Sequence, residues 1–356
     1  MGESSLGEGL RCRIIPLCSG DLPVAVFIMA QGGGAVYQEG IINLFSTGHQ
    51  MTALHRLALL VVVSLLLVCT PAQGGDIPLI DAHSQMAGAL DESVIIPLMD
   101  EAGVRRTILS ARNDRPPTDV LNFAASHPDR ITAAVRTKGK FFNYNKPKYY
   151  TFMKKQLGNP GYQAMGEVLL YHAQKGKKAP EISVYPDEAQ ATYALDVCLE
   201  RGWPFIVHIE FKAARGKRAV FMEKLEAMLT AHPEHPFVLI HMGQLEAGEV
   251  KRLLAAHDNL HFMTSHCNPL SVKGGGQPWV NIFEGKSIKG EWRALMEAYP
   301  DRFILAFDNV WANFWGEFYL KQTRLWQKAL SELPPDVAHA IAHVNAERLW
   351  DLPPVQ

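Results

Sequence analysis

Eight strand-like runs alternating with helix-like segments predict an α/β fold, a (β/α)8 TIM barrel forming a single catalytic domain over residues 76–356. Three observations carry the prediction. The alternation is the pattern of βαβ units around a parallel sheet. The count of strands is eight, and the stretch from residue 76 to the end has the length that eight such units need. An open doubly wound sheet would show a Gly-rich turn after its first strand, and Met86-Ala87-Gly88-Ala89 supplies none.

In chain order, residues 1–50 read unlike the rest. They hold no sustained helical or alternating period, and Gln31-Gly32-Gly33-Gly34 breaks off the one apolar run, Pro23 to Ala30. They are read as an extension upstream of the true start at Met51, spurious or disordered. Residues 51–75 have the layout of an export signal: MTALHR, the apolar block LALLVVVSLLLV, and the small-residue exit CTPAQGG, with cleavage favoured near Ala72. The block is shorter than the roughly 20 residues of a membrane span. The mature chain is therefore expected outside the cytoplasm, secreted or periplasmic, with no stable membrane span; the alternative is a signal-anchor helix behind a short cytoplasmic tail.

The strands read IPLIDAHSQ from Ile77, RRTILSAR from Arg105, RITAAVRT from Arg130, YQAMGEVLLY from Tyr162, PFIVHIEF from Pro204, FVLIHMG from Phe237, LHFMTSH from Leu260 and FILAFDNV from Phe303. Between them ESVIIPLMDEAG, DEAQATYALDVCLERG, FMEKLEAMLTAH and EVKRLLAAH place apolar residues at helical spacing, and DVAHAIAHVNAERLW closes the chain. Three connections, 138–160, 171–187 and 268–290, are long, follow strands and show no clear helical period, which suits lids or substrate walls. The first two are basic and partly aromatic, from Lys138 to Tyr150 and at Lys175, Lys177 and Lys178. They suit either a solvated surface, where His172 is expected, or recruitment of an anionic, flat substrate.

Composition narrows the function. With 47% hydrophobic and 20% charged residues the chain has ample material for a core, and a net charge of -1 gives no sign of a nucleic-acid partner. Beyond the signal only Cys198 and Cys267 remain, too few for a disulfide framework.

The strand ends carry the chemistry. Asp81, His83 and Gln85 alternate onto one face of the first strand. Glu167 closes the fourth, His208 and Glu210 the fifth, His241 the sixth, His266 the seventh and Asp308 the eighth. Unpaired buried charge is costly, so six strands ending in His, Asp or Glu point to a shared site rather than to packing. Such donors suit a divalent first-row metal, zinc above all, with one position left for water. Arg112 and Arg136, at the ends of strands two and three, suit a grip on a substrate carboxylate or pairing with a carboxylate of the barrel.

DAHSQ, GE, VHIE, IHMG, FDN and NAERLW, in that order and spacing, resemble the amidohydrolase superfamily, most closely its amidohydrolase-2 branch of metal-dependent hydrolases and decarboxylases, over nearly the whole of residues 76–356. The resemblance implies His83 and His208 as metal ligands, Asp308 as a ligand or the group that takes the proton from water, His241 as the residue that polarises substrate or shuttles a proton, and Glu167 at a strand-four position that bridges metals in some branches. His266 is expected against the substrate. The departure is Gln85, where the family has a second histidine. Its carboxamide is either a weaker metal ligand or a pocket-lining amide. The expected activity is hydrolysis of an amide, ester or lactone by metal-activated water. The alternatives are non-oxidative decarboxylation on the same scaffold, and a metal-deficient binding protein.

Overall fold

The computed structural model describes residues 11–17, 24–30, 77–176 and 180–356. The first two stretches, Arg11–Leu17 and Val24–Ala30, pair antiparallel with each other. No regular element was expected there, yet Ile14-Ile15 and Val24-Ala25-Val26-Phe27-Ile28 are β-favouring runs. The expectations for the rest of residues 1–50 and for the export signal lie outside the described residues.

The barrel strands are β1 (Leu79–Ala87), β2 (Val104–Arg112), β3 (Ile131–Val135), β4 in two pieces (Ala164–Met165 and Val168–His172), β5 (Phe205–Ile209), β6 (Phe237–Leu239), β7 (Leu260–Met263) and β8 (Phe303–Ile304). One sheet runs β1-β2-β3-β4 through the first piece, and a second continues from the other piece through β5, β6 and β7 to β8; every barrel pair is parallel. Backbone bonds from Ala82 N to Leu305 O (3.0 Å) and from Asp308 N to His83 O (2.8 Å) link β1 to the chain leaving β8. The break in β4 falls at Gly166-Glu167. A Cβ on Gly166 would lie 2.6 Å from Val135 O, so only glycine lets the strand approach β3 closely enough to turn Glu167 inward.

Each strand is followed by a helix: α1 (Ile95–Glu101), α2 (Pro117–Ser126), α3 (Pro147–Leu157), α4 (Ala189–Arg201), α5 (Arg218–Ala231), α6 (Ala247–Ala256), α7 (Gly290–Ala298) and α8 (Glu317–Leu330). Their starts and stops follow local chemistry. Proline fills the first turn of α2 and α3, Glu246 and Glu249 form a reciprocal capping box on α6, and Gly202 ends α4 at φ 66°. The three long connections are more regular than expected. The first contains Lys140–Asn143 and α3, the second a short strand, Ile182–Ser183, paired with β4, and the third a helix, Pro269–Gly275, and the hairpin Phe283–Glu284/Ser287–Ile288.

Inside the barrel the lower layers are aliphatic, with Ile80, Ile108, Ile206, Val238 and Ile304 meeting Leu349, Trp350 and Leu352 of the closing segment. Asn345 fixes that segment by donating to Pro300 O and Phe303 O, both at 2.8 Å. No helix among the described residues is long and apolar enough to cross a membrane.

Candidate active site

At the opposite end of the barrel the backbone itself is unusual. His241, Met242, Gly243 and Gln244 run at φ 55°, 50°, 60° and 57°, and His266 and Asp308 sit at φ 57° and 51°. Side chains other than glycine's seldom occupy this left-handed region, and such conformations persist where the surroundings enforce them. Here the turn after β6 is tied to the chain after β5: Phe211 N donates to Gly243 O (3.0 Å) and Ala213 N to Gln244 Oε1 (3.1 Å). The consequence is that three strand-end side chains turn into one space instead of splaying outward.

Nearly all the expected residues converge there. Glu167–His208–His241, His241–His266–Asp308 and His83–Glu167–Asp308 form three overlapping buried groups, each with donor atoms within 4.8 Å of one another. Asp81 does not take part. A register shift between Asp81 and Ser84 drops its carboxylate beneath the site, where it accepts from Phe307 N (2.9 Å) and Ser84 Oγ (2.5 Å), and burial pushes its pKa up to about 7.

Gln85 joins the two carboxylates. Its Nε2 donates to Asp308 Oδ1 (2.8 Å) and Glu167 Oε1 (3.3 Å), while its Oε1 accepts from Arg112 (2.9 Å) and Lys138 (3.4 Å). The amide orientation follows from its partners, since a flip would set its oxygen against two carboxylates and its NH2 against two cations. The oxygen that a metal would need thus faces away from the donors. Lys138 also pairs directly with Glu167, and His83 Nε2 lies 3.3 Å from Asp308 Oδ1.

The remaining carboxylate oxygens face imidazoles. Glu167 Oε2 lies 3.0 Å from His208 Nδ1, and Asp308 Oδ2 lies 3.2 Å from His266 Nε2 and 3.5 Å from His241 Nε2. His208 Nε2 lies 3.4 Å from Glu210 Oε1, and His241 Nδ1 is within 3.1 Å of Ser265 O and 2.8 Å of Ser265 Oγ. Holding one ring nitrogen on a carboxylate or carbonyl leaves the other free as a ligand, the arrangement that metal-binding histidines use.

Burial lowers the pKa of His208 and, reinforced by His266 and His208, sets that of His241 well below the usual histidine value. Both rings are therefore neutral near pH 7. Burial alone would raise the Asp308 pKa, but hydrogen bonds from His266 and His83 outweigh it and hold the group well below the usual carboxylate range. Glu210, where burial is likewise outweighed by His208, falls to about 2. The residues fit a divalent cation. A neutral imidazole carries one proton, so His208, flanked by Glu167 and Glu210, sets a lone pair against one carboxylate unless a cation lies between them.

A cavity of about 380 Å³ opens above this cluster. Arg112, Lys138 and Lys175 supply its positive edge, and Trp279, Trp311 and Phe318 its apolar wall, with Arg112 4.6 Å from the Trp311 ring centre and Lys175 5.2 Å from that of Trp279. Arg136 stays outside this cavity. It donates to Asn113 O and lines an adjoining recess together with Gln85, Arg112, Lys138 and His172. His172, expected at the surface, instead lines the cavity 5.6 Å from the His208 ring, with burial and then His208 pushing its pKa down to about 3. Trp279 escaped the sequence reading as a site residue, while Lys138 and Lys175, read there within basic connections that suit either a solvated surface or an anionic substrate, line the cavity. The available signal for Trp279 was its position in a long connection on the same face.

A family model described as Amidohydrolase matches residues 170–352, just over half the chain. No curated protein matches. Among solved structures, an uncharacterised TIM-barrel protein of Bordetella bronchiseptica aligns over 74% of this chain and 83% of its own at 16% identity and TM-score 0.51. A 4-oxalomesaconate hydratase of Rhodopseudomonas palustris aligns over 77% of this chain and 95% of its own at 13% identity and TM-score 0.51. At that identity the likeness establishes the barrel fold alone.

Proposed function

The chain belongs to the amidohydrolase-2 family, and from that premise we propose that it is a metal-dependent hydrolase acting on a small carbonyl compound, an amide, ester or lactone, that also carries a carboxylate and a flat apolar part. The observation that supports this most is the convergence of His83, Glu167, His208, His241, His266 and Asp308 as three overlapping donor groups at the C-terminal end of the barrel. A divalent ion, zinc in the first instance, would supply there a Lewis acid and a lowered pKa for water. The chain's own residues do the rest. Asp308, ionised and held between His83 and His266, takes the proton from the attacking water. His241, neutral and fixed through Ser265, directs Nε2 toward the reacting carbonyl. Arg112 and Lys175 hold the substrate carboxylate, and Trp279 and Trp311 cover its flat part and exclude water.

The same cations favour a second reading, decarboxylation, because they also hold a carboxylate beside the donor cluster. The test is turnover of carboxylated lactones, amides and aromatic acids with added zinc or manganese in ¹⁸O-labelled water. Label in the product acid supports hydrolysis, release of carbon dioxide with no label in the remaining organic product supports decarboxylation, and no turnover of any carboxylated compound would sink both. Residues 51–75 are proposed as the export signal of this enzyme, and N-terminal sequencing of exported protein would contradict that if residues before Met51 were retained.

A further inference from the structure

Beside the cavity over the donor cluster lies the recess that Arg136 lines, with a volume of about 190 Å³, several times the ~30 Å³ share of one water molecule. Arg112, Asn113, Lys138 and His172 border both spaces, so the two adjoin. Their charge differs. Glu167 and Asp308 line the cavity beside its cations, whereas the recess is lined by Arg112, Arg136 and Lys138 with no Asp or Glu among the described residues. Burial and then the neighbouring Arg112 lower the pKa of Arg136, and the carboxylate that acts the other way, Asp114, is exposed. An anion in the recess would offset that repulsion between like charges.

Of the three cations, Lys138 pairs with Glu167, and Arg112 donates to Gln85 Oε1 (2.9 Å). Arg136 is held in place without being used up. The buried Gln156 clamps its backbone, accepting from Arg136 N (2.9 Å) and donating to Arg136 O (3.0 Å), and its Nη1 donates to Asn113 O. Its Nε and Nη2 bond to no group among the described residues. These two nitrogens form the side edge of the guanidinium, the fork that matches both oxygens of one carboxylate. A side chain already fixed loses little freedom when it binds.

We propose that the recess is a second acid subsite and that the substrate is a dicarboxylate, with one acid group at Arg112 and Lys175 and the other on the side edge of Arg136. The inference rests on the carboxylate-binding reading above and narrows it. Lys175 borders the cavity alone and Arg136 the recess alone, so the two acid groups occupy separate positions on the flat part of the substrate.

Isothermal titration of the zinc-supplied full chain with isophthalate and with benzoate tests it, with thermal unfolding of each variant as the control for folding. Isophthalate is expected to bind about 30-fold more tightly than benzoate. Arg136→Gln should bring the two acids within about threefold of each other through loss of isophthalate affinity. Arg136→Lys, which keeps the charge and loses the fork, should give an intermediate preference. Equal affinities in the unaltered chain would overturn the second subsite and leave the carboxylate reading intact. So would a folded Arg136→Gln that keeps the preference or weakens both acids alike. Binding of neither acid would overturn the subsite and the carboxylate reading together.

Discussion

The two ends of this barrel are made from the same strands and obey opposite rules. At the N-terminal end Ile80, Ile206, Val238 and Ile304 pack against Trp350 and Leu352, and the closing segment satisfies the backbone through Asn345. At the C-terminal end His241, His266 and Asp308 sit at positive φ among buried charges. One end spends its residues on packing and the other holds strained, desolvated groups in place, which is where function resides in folds of this kind. Size does not mark the difference. A surface groove at the N-terminal end, lined by Pro233, His257 and Asp301, has a volume of about 830 Å³ against about 380 Å³ for the cavity over the donor cluster. What distinguishes the smaller one is converging chemistry.

That contrast breaks first if the C-terminal end proves to be stabilising. Asp308→Asn should lower turnover by about 10³-fold while leaving the unfolding midpoint at or above that of the unaltered protein, because one buried charge is removed. A large loss of stability in that variant would erase the distinction. Trp350→Ala should do the reverse, costing about 3–5 kcal/mol in urea unfolding, with turnover per folded molecule unchanged.

A pH series sharpens it further. His261 on β7 is 5% exposed beside the N-terminal groove, and burial, then Arg302 and Arg348, push its pKa down to about 3. The unfolded chain therefore binds a proton near pH 6.5 that the folded chain refuses until about pH 3. Stability is fully present above about pH 6.5 and declines as the pH falls toward 3, by on the order of a few kcal/mol. His261→Gln should flatten the fall in urea midpoint across that window, and an unchanged slope would remove His261 from the account. The smallest effect belongs to the surface. Lys212 and Glu246, 2.8 Å apart with side chains 50% and 60% exposed, form a solvated pair, and Lys212→Ala should change stability by less than about 1 kcal/mol by the same assay.

Much of this was legible in the sequence because strands and helices write their periods into it. All eight strands, and the convergence of His83, Glu167, His208, His241 and Asp308, follow from polar residues placed after apolar runs. What escaped depends on three-dimensional contact or backbone angle. Helix α3 passed as loop because Lys and Tyr dilute its apolar stripe, although Pro147 and the spacing of buried Tyr149, Met153 and Gln156 mark it. The orientation of Gln85 is set by Arg112 and Lys138, which reach it from other strands, and no local pattern reports it. The positive φ at His266 and Asp308 is equally silent, since neither residue type demands it.

The most direct test of the account is metal content set beside turnover. Elemental analysis of the full chain purified without chelator should find close to one divalent ion per molecule, and stripping that ion should abolish turnover until zinc or manganese is returned. Full turnover by a metal-free chain would contradict the central claim that the C-terminal end of this barrel is a metal-dependent catalytic centre.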